Sequence, residues 1–170
     1  MSDALIAVII TQAVVVLLFS SLHYWVEPRK EKKKHRKEVL MNFYSPVYAA
    51  LVVRGKMHIN AEERNGRPKP NFIRIISIEA KDEDYIDRRW IEKFIHENIG
   101  YASSELVEAW AAYVSSTTMF GKVDHKYTEA LVKAIVIEYN KLRKEFGMSY
   151  DEDELRTGYP NIYAHLRERN

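Results

Sequence analysis

Residues 4 to 26, ALIAVIITQAVVVLLFSSLHYWV, form a largely apolar run that decides what the rest of the chain can be. The run is 23 residues long and contains no Asp, Glu, Lys or Arg. A helix rises about 1.5 Å per residue, so the run reaches roughly 34 Å. The hydrocarbon core of a bilayer is about 30 Å thick, and a helix crosses it with every backbone N–H and C=O satisfied inside one segment. The sequence therefore predicts one membrane-spanning helix, with a buried core helix as the alternative. A cleaved secretory signal would show a positive first segment, a shorter apolar core and a small-x-small cleavage site. Only Met1, Ser2 and Asp3 precede the run and no such site closes it, so the expectation is an uncleaved anchor.

The flanks of the run carry its orientation. Tyr24 and Trp25 stand at its end, where amphipathic rings suit the headgroup layer. Residues 27 to 38, EPRKEKKKHRKE, then hold Arg29, Lys30, Lys32, Lys33, Lys34, Arg36 and Lys37 against three glutamates. No Lys or Arg precedes the span, so the positive-inside rule predicts the N-terminus outside and everything after the span in the cytoplasm. The expected location is the plasma (inner) membrane, crossed once. On an anionic leaflet each cation adds about 1 kcal/mol of attraction before screening, which makes anionic lipid headgroups an expected partner. Residues 39 to 170 hold 19 Lys or Arg against 20 Asp or Glu. With no basic excess away from the membrane junction, nucleic acid is not an expected partner.

Inside the span, Thr11 and Gln12 are the unusual residues. Hydrocarbon offers nothing to a glutamine amide, and the usual remedy is a hydrogen bond to another helix. Ala7 and Thr11 add a weak small-xxx-small pair on the neighbouring face. Ala7, Thr11 and Gln12 are thus the candidate residues for association of the span, with a second copy, with another membrane protein, or with local bonding of Gln12 as the alternative.

The remaining residues divide into a basic juxtamembrane segment, 27 to 38, and a domain, 39 to 170. Val39, Leu40, Phe43, Tyr44, Val47, Tyr48 and Leu51 recur at helical spacing. Pro46 lies among them, and the reading is a helix ending near Phe43 or Tyr44 and a second from Pro46 to about Arg64, with Ser45 as its cap. Asn65 to Asn71, NGRPKPN, is a loop. Residues 72 to 80, FIRIISIEA, stay ambiguous between strand and helix. Asp82, Glu83, Asp84 and Asp87 load the start of a helix carrying Trp90, Ile91, Phe94 and Ile95, since acids complement a helix N-terminus. Ser103 or Ser104 caps a helix with Leu106, Trp110 and Tyr113. A long helix begins at about Asp124, apolar on nearly every side from Ala130 to Ile137 and so the centre of the core, and ends at Gly147. Ser149 and Glu152 form a capping box for a short acidic helix that stops at Gly158, and Pro160 begins a last short helix with Tyr163. The fold class is all-α: a single N-terminal transmembrane helix and a cytoplasmic helical domain of about five or six helices.

No chemistry-bearing constellation emerges. The chain has no cysteine, which excludes disulfides and thiolate zinc sites. The six histidines never pair at i, i+3 or i, i+4, and each glycine is isolated, so metalloprotease and phosphate-cradling patterns are absent. No serine sits in a nucleophile elbow. No cofactor or metal is expected, and the chain reads as a non-enzyme.

The N-terminal span, the basic run, FYSPVY (43 to 48) and EYNKLRKEFG (138 to 147) together resemble a loose group of single-span proteins of bacteria and their phages. That group has no established activity. The resemblance implies a bacterial or prophage setting and carries over no functional residue. Two functions remain beside the alternative of an enzyme of unmarked type. The first is a membrane-tethered scaffold whose helical domain recruits a cytoplasmic protein through an aromatic surface, for which Trp110, Tyr113, Tyr159 and Tyr163 are the candidates. The second is a membrane-active effector of phage or defence type, acting through oligomerised spans. The scarcity of polar residues in the span counts against the effector, because a pore needs a wet face.

Overall fold

A computed structural model of the protein describes residues 3–64, 88–120 and 125–163, apart from the side chains at 3–9, 58–64, 88, 117–120, 125 and 163. Among the described residues every regular element is helical. The proline-rich loop, the ambiguous run 72 to 80 and the acids Asp82 to Asp87 lie outside them. The chain divides into two compact units, Met1–Glu38 and Val39–Asn170.

In the first unit, α1 spans Asp3–Ser21 and α2 begins at Glu27 and runs to Val39, with a π-helical turn, Leu22–Val26, between them. One helix among the described residues is long and apolar enough to cross a membrane, and none of its apolar window is buried within the protein. The π turn has a local cause. Pro28 has no N–H, and its ring crowds the carbonyl four residues earlier. The chain widens just before it: the Glu27 N–H bonds the Leu22 carbonyl, five residues back. A single widened turn of this kind absorbs one extra residue without breaking the helix.

The same device corrects one expectation in the second unit. Before Pro46 the chain forms another π turn, Leu40–Tyr44, and the Ser45 N–H bonds the Leu40 carbonyl. Ser45 has φ −65° and ψ −47°, which is helical, so it is not an extended cap and no break occurs. α3 runs on from there, Ser45–Arg64. The widened turn, rather than a new helix start, accommodates the proline.

The second unit continues with α4 (Arg88–Glu97), a 3₁₀ turn (Ile99–Tyr101), α5 (Ser104–Phe120), α6 (His125–Glu145), α7 (Glu152–Thr157) and a 3₁₀ turn (Asn161–Tyr163). α6 packs against α3, α5 and α7. The apolar stretch of α6 supplies Leu131, Val132, Ile135 and Val136, all buried. Facing them are Leu40, Phe43, Tyr44, Val47 and Leu51 from the π turn and α3, Ile91 and Ile95 from α4, and Leu106 and Tyr113 from α5. Each such side chain, fully buried, contributes about 1.5 to 3 kcal/mol. The aromatic joint of FYSPVY is core: Phe43 stacks on Phe94 with ring centroids 6.1 Å apart, and the Tyr44 hydroxyl accepts the Ser103 N–H at 2.9 Å.

Helix ends obey local chemistry. Ser103 caps α5, its hydroxyl accepting the Leu106 N–H at 3.3 Å. Gly147 closes α6 with φ +65°; its N–H bonds the Lys144 carbonyl and the Met148 N–H bonds the Arg143 carbonyl, the paired bonds of a Schellman motif. The start of α7 differs from the capping box read from Ser149 and Glu152. Its cap is Asp151, whose carboxylate accepts the Glu154 N–H at 2.9 Å. The Asp151 N–H is taken by the Asn140 side chain of α6 at 3.0 Å, so tertiary contact fixes the register two residues later.

Candidate membrane interface and partner groove

In α1, Ile10, Thr11, Gln12 and the run Val14 to Phe19 are exposed, Leu17 at 69% and Phe19 at 71%. The two aromatics behind them, expected from the sequence at the interface, are exposed as well, Tyr24 at 73% and Trp25 at 67%. The Arg29 guanidinium lies 5.4 Å from the centre of the Trp25 ring, a cation–π contact that ties the end of the apolar run to the first cation of α2. Phe19 stacks on His23 at 6.3 Å, and His23 Nδ1 is 2.8 Å from Glu27 Oε2. Ala7 falls within α1, with its side chain outside the description.

The helical phase of α2 sorts its charges. At about 100° per residue, Arg29, Lys30, Lys32, Lys33, Lys34, Arg36 and Lys37 cover roughly 200° of the circumference, and Glu27, Glu31 and Glu38 fall within about 40° on the other side. Arg36 is half-buried and engaged; the other six cations are exposed. The segment is therefore a helix with one cationic face and one narrow acidic stripe. Sequence reasoning counted the charges and missed this segregation, although the spacing of the glutamates carries it once the segment is taken as helical.

In the second unit the four candidate aromatics divide. Trp110 and Tyr113 of α5 stack with centroids 5.8 Å apart. They form one wall of an open groove of about 370 Å³, whose other wall is Arg89, Glu92, Lys93 and His96 of α4, with Val114 at its rim. Tyr113 is 4% exposed and its hydroxyl donates to Glu92, so it floors the groove while Trp110 reaches its surface. Tyr159 belongs to a different cluster. Its hydroxyl donates to Glu129, Lys133 Nζ is 2.7 Å from the same carboxylate, and Lys133 lies 4.9 Å from the Tyr159 ring centre. The Lys133 ammonium, then the Tyr159 hydroxyl, hold the Glu129 carboxyl below its usual range. Tyr163 ends the last 3₁₀ turn, with its side chain outside the description.

The residue that sequence reasoning missed is Glu154, 4% exposed in the middle of α7. Its carboxylate accepts the Tyr48 hydroxyl at 2.7 and 2.9 Å, the Asn140 amide at 3.0 Å and the Asn161 N–H at 2.7 Å. Burial, then Glu154, push the Tyr48 hydroxyl far above its usual range, so it stays a donor. Tyr48 also stacks on Tyr139 at 4.0 Å, and Arg143 donates to the Tyr139 hydroxyl. This network pins the C-terminal elements to α3 and α6. Asn140 was its readable signal: an amide on the buried face of α6, 1% exposed, needs a buried partner. Among the described residues no group of three or more His, Cys, Asp or Glu is placed to hold a metal ion. No protein-family model matches the chain, and no curated protein or solved structure is similar to it.

Proposed function

We propose that the chain is a single-pass membrane-anchored protein of the plasma (inner) membrane, N-terminus outside, whose cytoplasmic helical domain is a protein-interaction or scaffolding module without a catalytic step of its own. One observation carries the reading: the apolar run of α1 is exposed from Ile10 to Phe19 and is succeeded by Tyr24, Trp25 and a helix with a cationic face. So much exposed apolar surface is stable only against lipid or another protein. The cationic face suits anionic headgroups, and the groove between α4 and α5, with an indole and the cations Arg89 and Lys93, suits a protein segment carrying acidic and apolar side chains.

The chain has no cysteine, so single introduced thiols report topology cleanly. Ser2→Cys reacts with a membrane-impermeant maleimide in intact cells, and Asn170→Cys reacts only after permeabilisation. Reaction of both, or of Asn170→Cys alone, in intact cells refutes the topology. For the module, a photo-crosslinking amino acid at Val114, on the groove rim, gives a defined cytoplasmic adduct that the same group at Arg156 does not. Equal adducts from both positions remove the groove from the proposal.

A further inference from the structure

The strongest unabsorbed feature of the first unit is a line of residues along one side of its helices. Gln12, Val16, Phe19 and His23 are spaced four, three and four apart, which keeps them within about a tenth of a turn of one direction. Two contacts join the far end: Phe19 stacks on His23, and His23 bonds Glu27. The π turn at Leu22–Val26 holds back the rotation of α2, so the acidic stripe of that helix continues this line instead of its cationic face.

Among the described residues, Gln12 is the polar side chain on this line without a hydrogen-bond partner. Ser21 donates to the Leu18 carbonyl at 2.8 Å and Thr11 is engaged within the chain, whereas Gln12 forms no side-chain hydrogen bond among the described residues. Its amide is both donor and acceptor, so an identical amide is its complement.

We propose that this line is the self-association seam of the span, and that its occupant is a second copy of this chain, parallel, with Gln12 bonded to Gln12 across the two-fold axis. The proposal rests on the membrane-anchored reading. Copies inserted with one orientation hold Gln12 at one depth, so the amides meet without a register search. Charge agrees with the same axis. Two α2 helices approaching along their glutamate stripes turn their cationic faces outward to the headgroups, and each stripe is flanked by its partner's lysines. Approach along the cationic faces would set six exposed cations against six, whereas the glutamate stripes oppose only three carboxylates to three.

The test uses the full chain in its native membranes. Val16→Cys, on the seam, and Val14→Cys, about 200° away, are oxidised with copper phenanthroline. The disulfide-linked dimer forms several-fold faster from Val16→Cys than from Val14→Cys. Adding Gln12→Leu to Val16→Cys lowers the dimer yield about 3- to 20-fold, the range for one interhelical polar contact in a membrane, while Gln12→Asn retains most of it. Equal rates at positions 14 and 16, no effect of Gln12→Leu, or a product joined to a different protein each overturn the proposal. Alkaline carbonate extraction separates the two readings. A chain that washes off refutes anchoring and the seam with it; one that stays but gives no seam pattern refutes the seam alone.

Discussion

Glu154 gives the sharpest energetic prediction. Glu154→Ala removes the acceptor of three donors, the buried Asn140 amide, which keeps its bond to the Val136 carbonyl, and the partly buried Tyr48 hydroxyl and Asn161 N–H. Each buried donor left unpaired costs about 1 to 3 kcal/mol, and the void, polar on several sides, admits water that returns part of this. The net loss is about 2 to 4 kcal/mol, a large share of the roughly 5 to 15 kcal/mol that holds a domain together. Tyr48→Phe removes one donor, leaves the carboxylate two, and costs about 1 to 2 kcal/mol. Because the two residues share one contact, the double variant loses less than the sum by about 1 kcal/mol or more. Urea unfolding of the full chain in mild detergent, monitored by tryptophan fluorescence, measures all three, with Trp90 and Trp110 reporting from the core unit. A loss below about 1 kcal/mol for Glu154→Ala, or strict additivity with Tyr48→Phe, would falsify the claim that this carboxylate fastens α7 to α3 and α6.

Gly158→Ala and Gly147→Ala separate backbone strain from collision. Both glycines have positive φ, but a Cβ at 158 meets Lys133 Cγ at 2.7 Å while one at 147 meets nothing within 4 Å. Thermal denaturation should show about 1 kcal/mol lost at 147 and clearly more at 158. Thr128→Val is expected to stabilise the chain by about 1 kcal/mol in the same assay, because the buried Thr128 hydroxyl has no hydrogen-bond partner among the described residues and borders an apolar cavity of about 20 Å³. The Glu129 cluster predicts a pH signature. The Glu129 carboxyl is held low, so its contribution is complete above the ordinary glutamate value of about 4.3 and fades as pH falls through the folded value. Lys133 is held high by Glu129, so its contribution is complete below about 10.4 and fades as pH rises through the folded value. Solvent screening keeps the effect under about 1 kcal/mol. Glu129→Gln should flatten the acid limb of the stability curve; an unchanged slope below pH ~4 removes the pair as its cause.

Legibility in the sequence tracked the range of the interaction. The apolar run of α1, the stripe Leu40, Phe43, Tyr44, Val47 and Leu51, and the glycine stops at 147 and 158 rest on periodicity, length and backbone conformation, which neighbouring residues fix. Pro46 was also readable as a perturbation, but not its outcome. A proline can be met by a break or by a widened turn, and the buried faces on both sides of residue 46 favour the turn that keeps them aligned.

Of the candidate aromatics, Trp110 and Tyr113 share one groove because both lie on α5, one turn apart, while Tyr159 went to Glu129 and Lys133 on α6. The sequence by itself determined the helical class, the exposed apolar N-terminal helix and its basic successor, since these need only composition and a period of 3.6 residues. Tertiary structure alone decided which of four successive acids, Asp151 to Glu154, would cap a helix and which would be buried. Asp151 and Asp153 are alike as caps, and Glu152 and Glu154 are alike as interior residues; Asn140, Tyr48 and Asn161, brought from distant parts of the chain, supply the donors that make burial at Glu154 favourable.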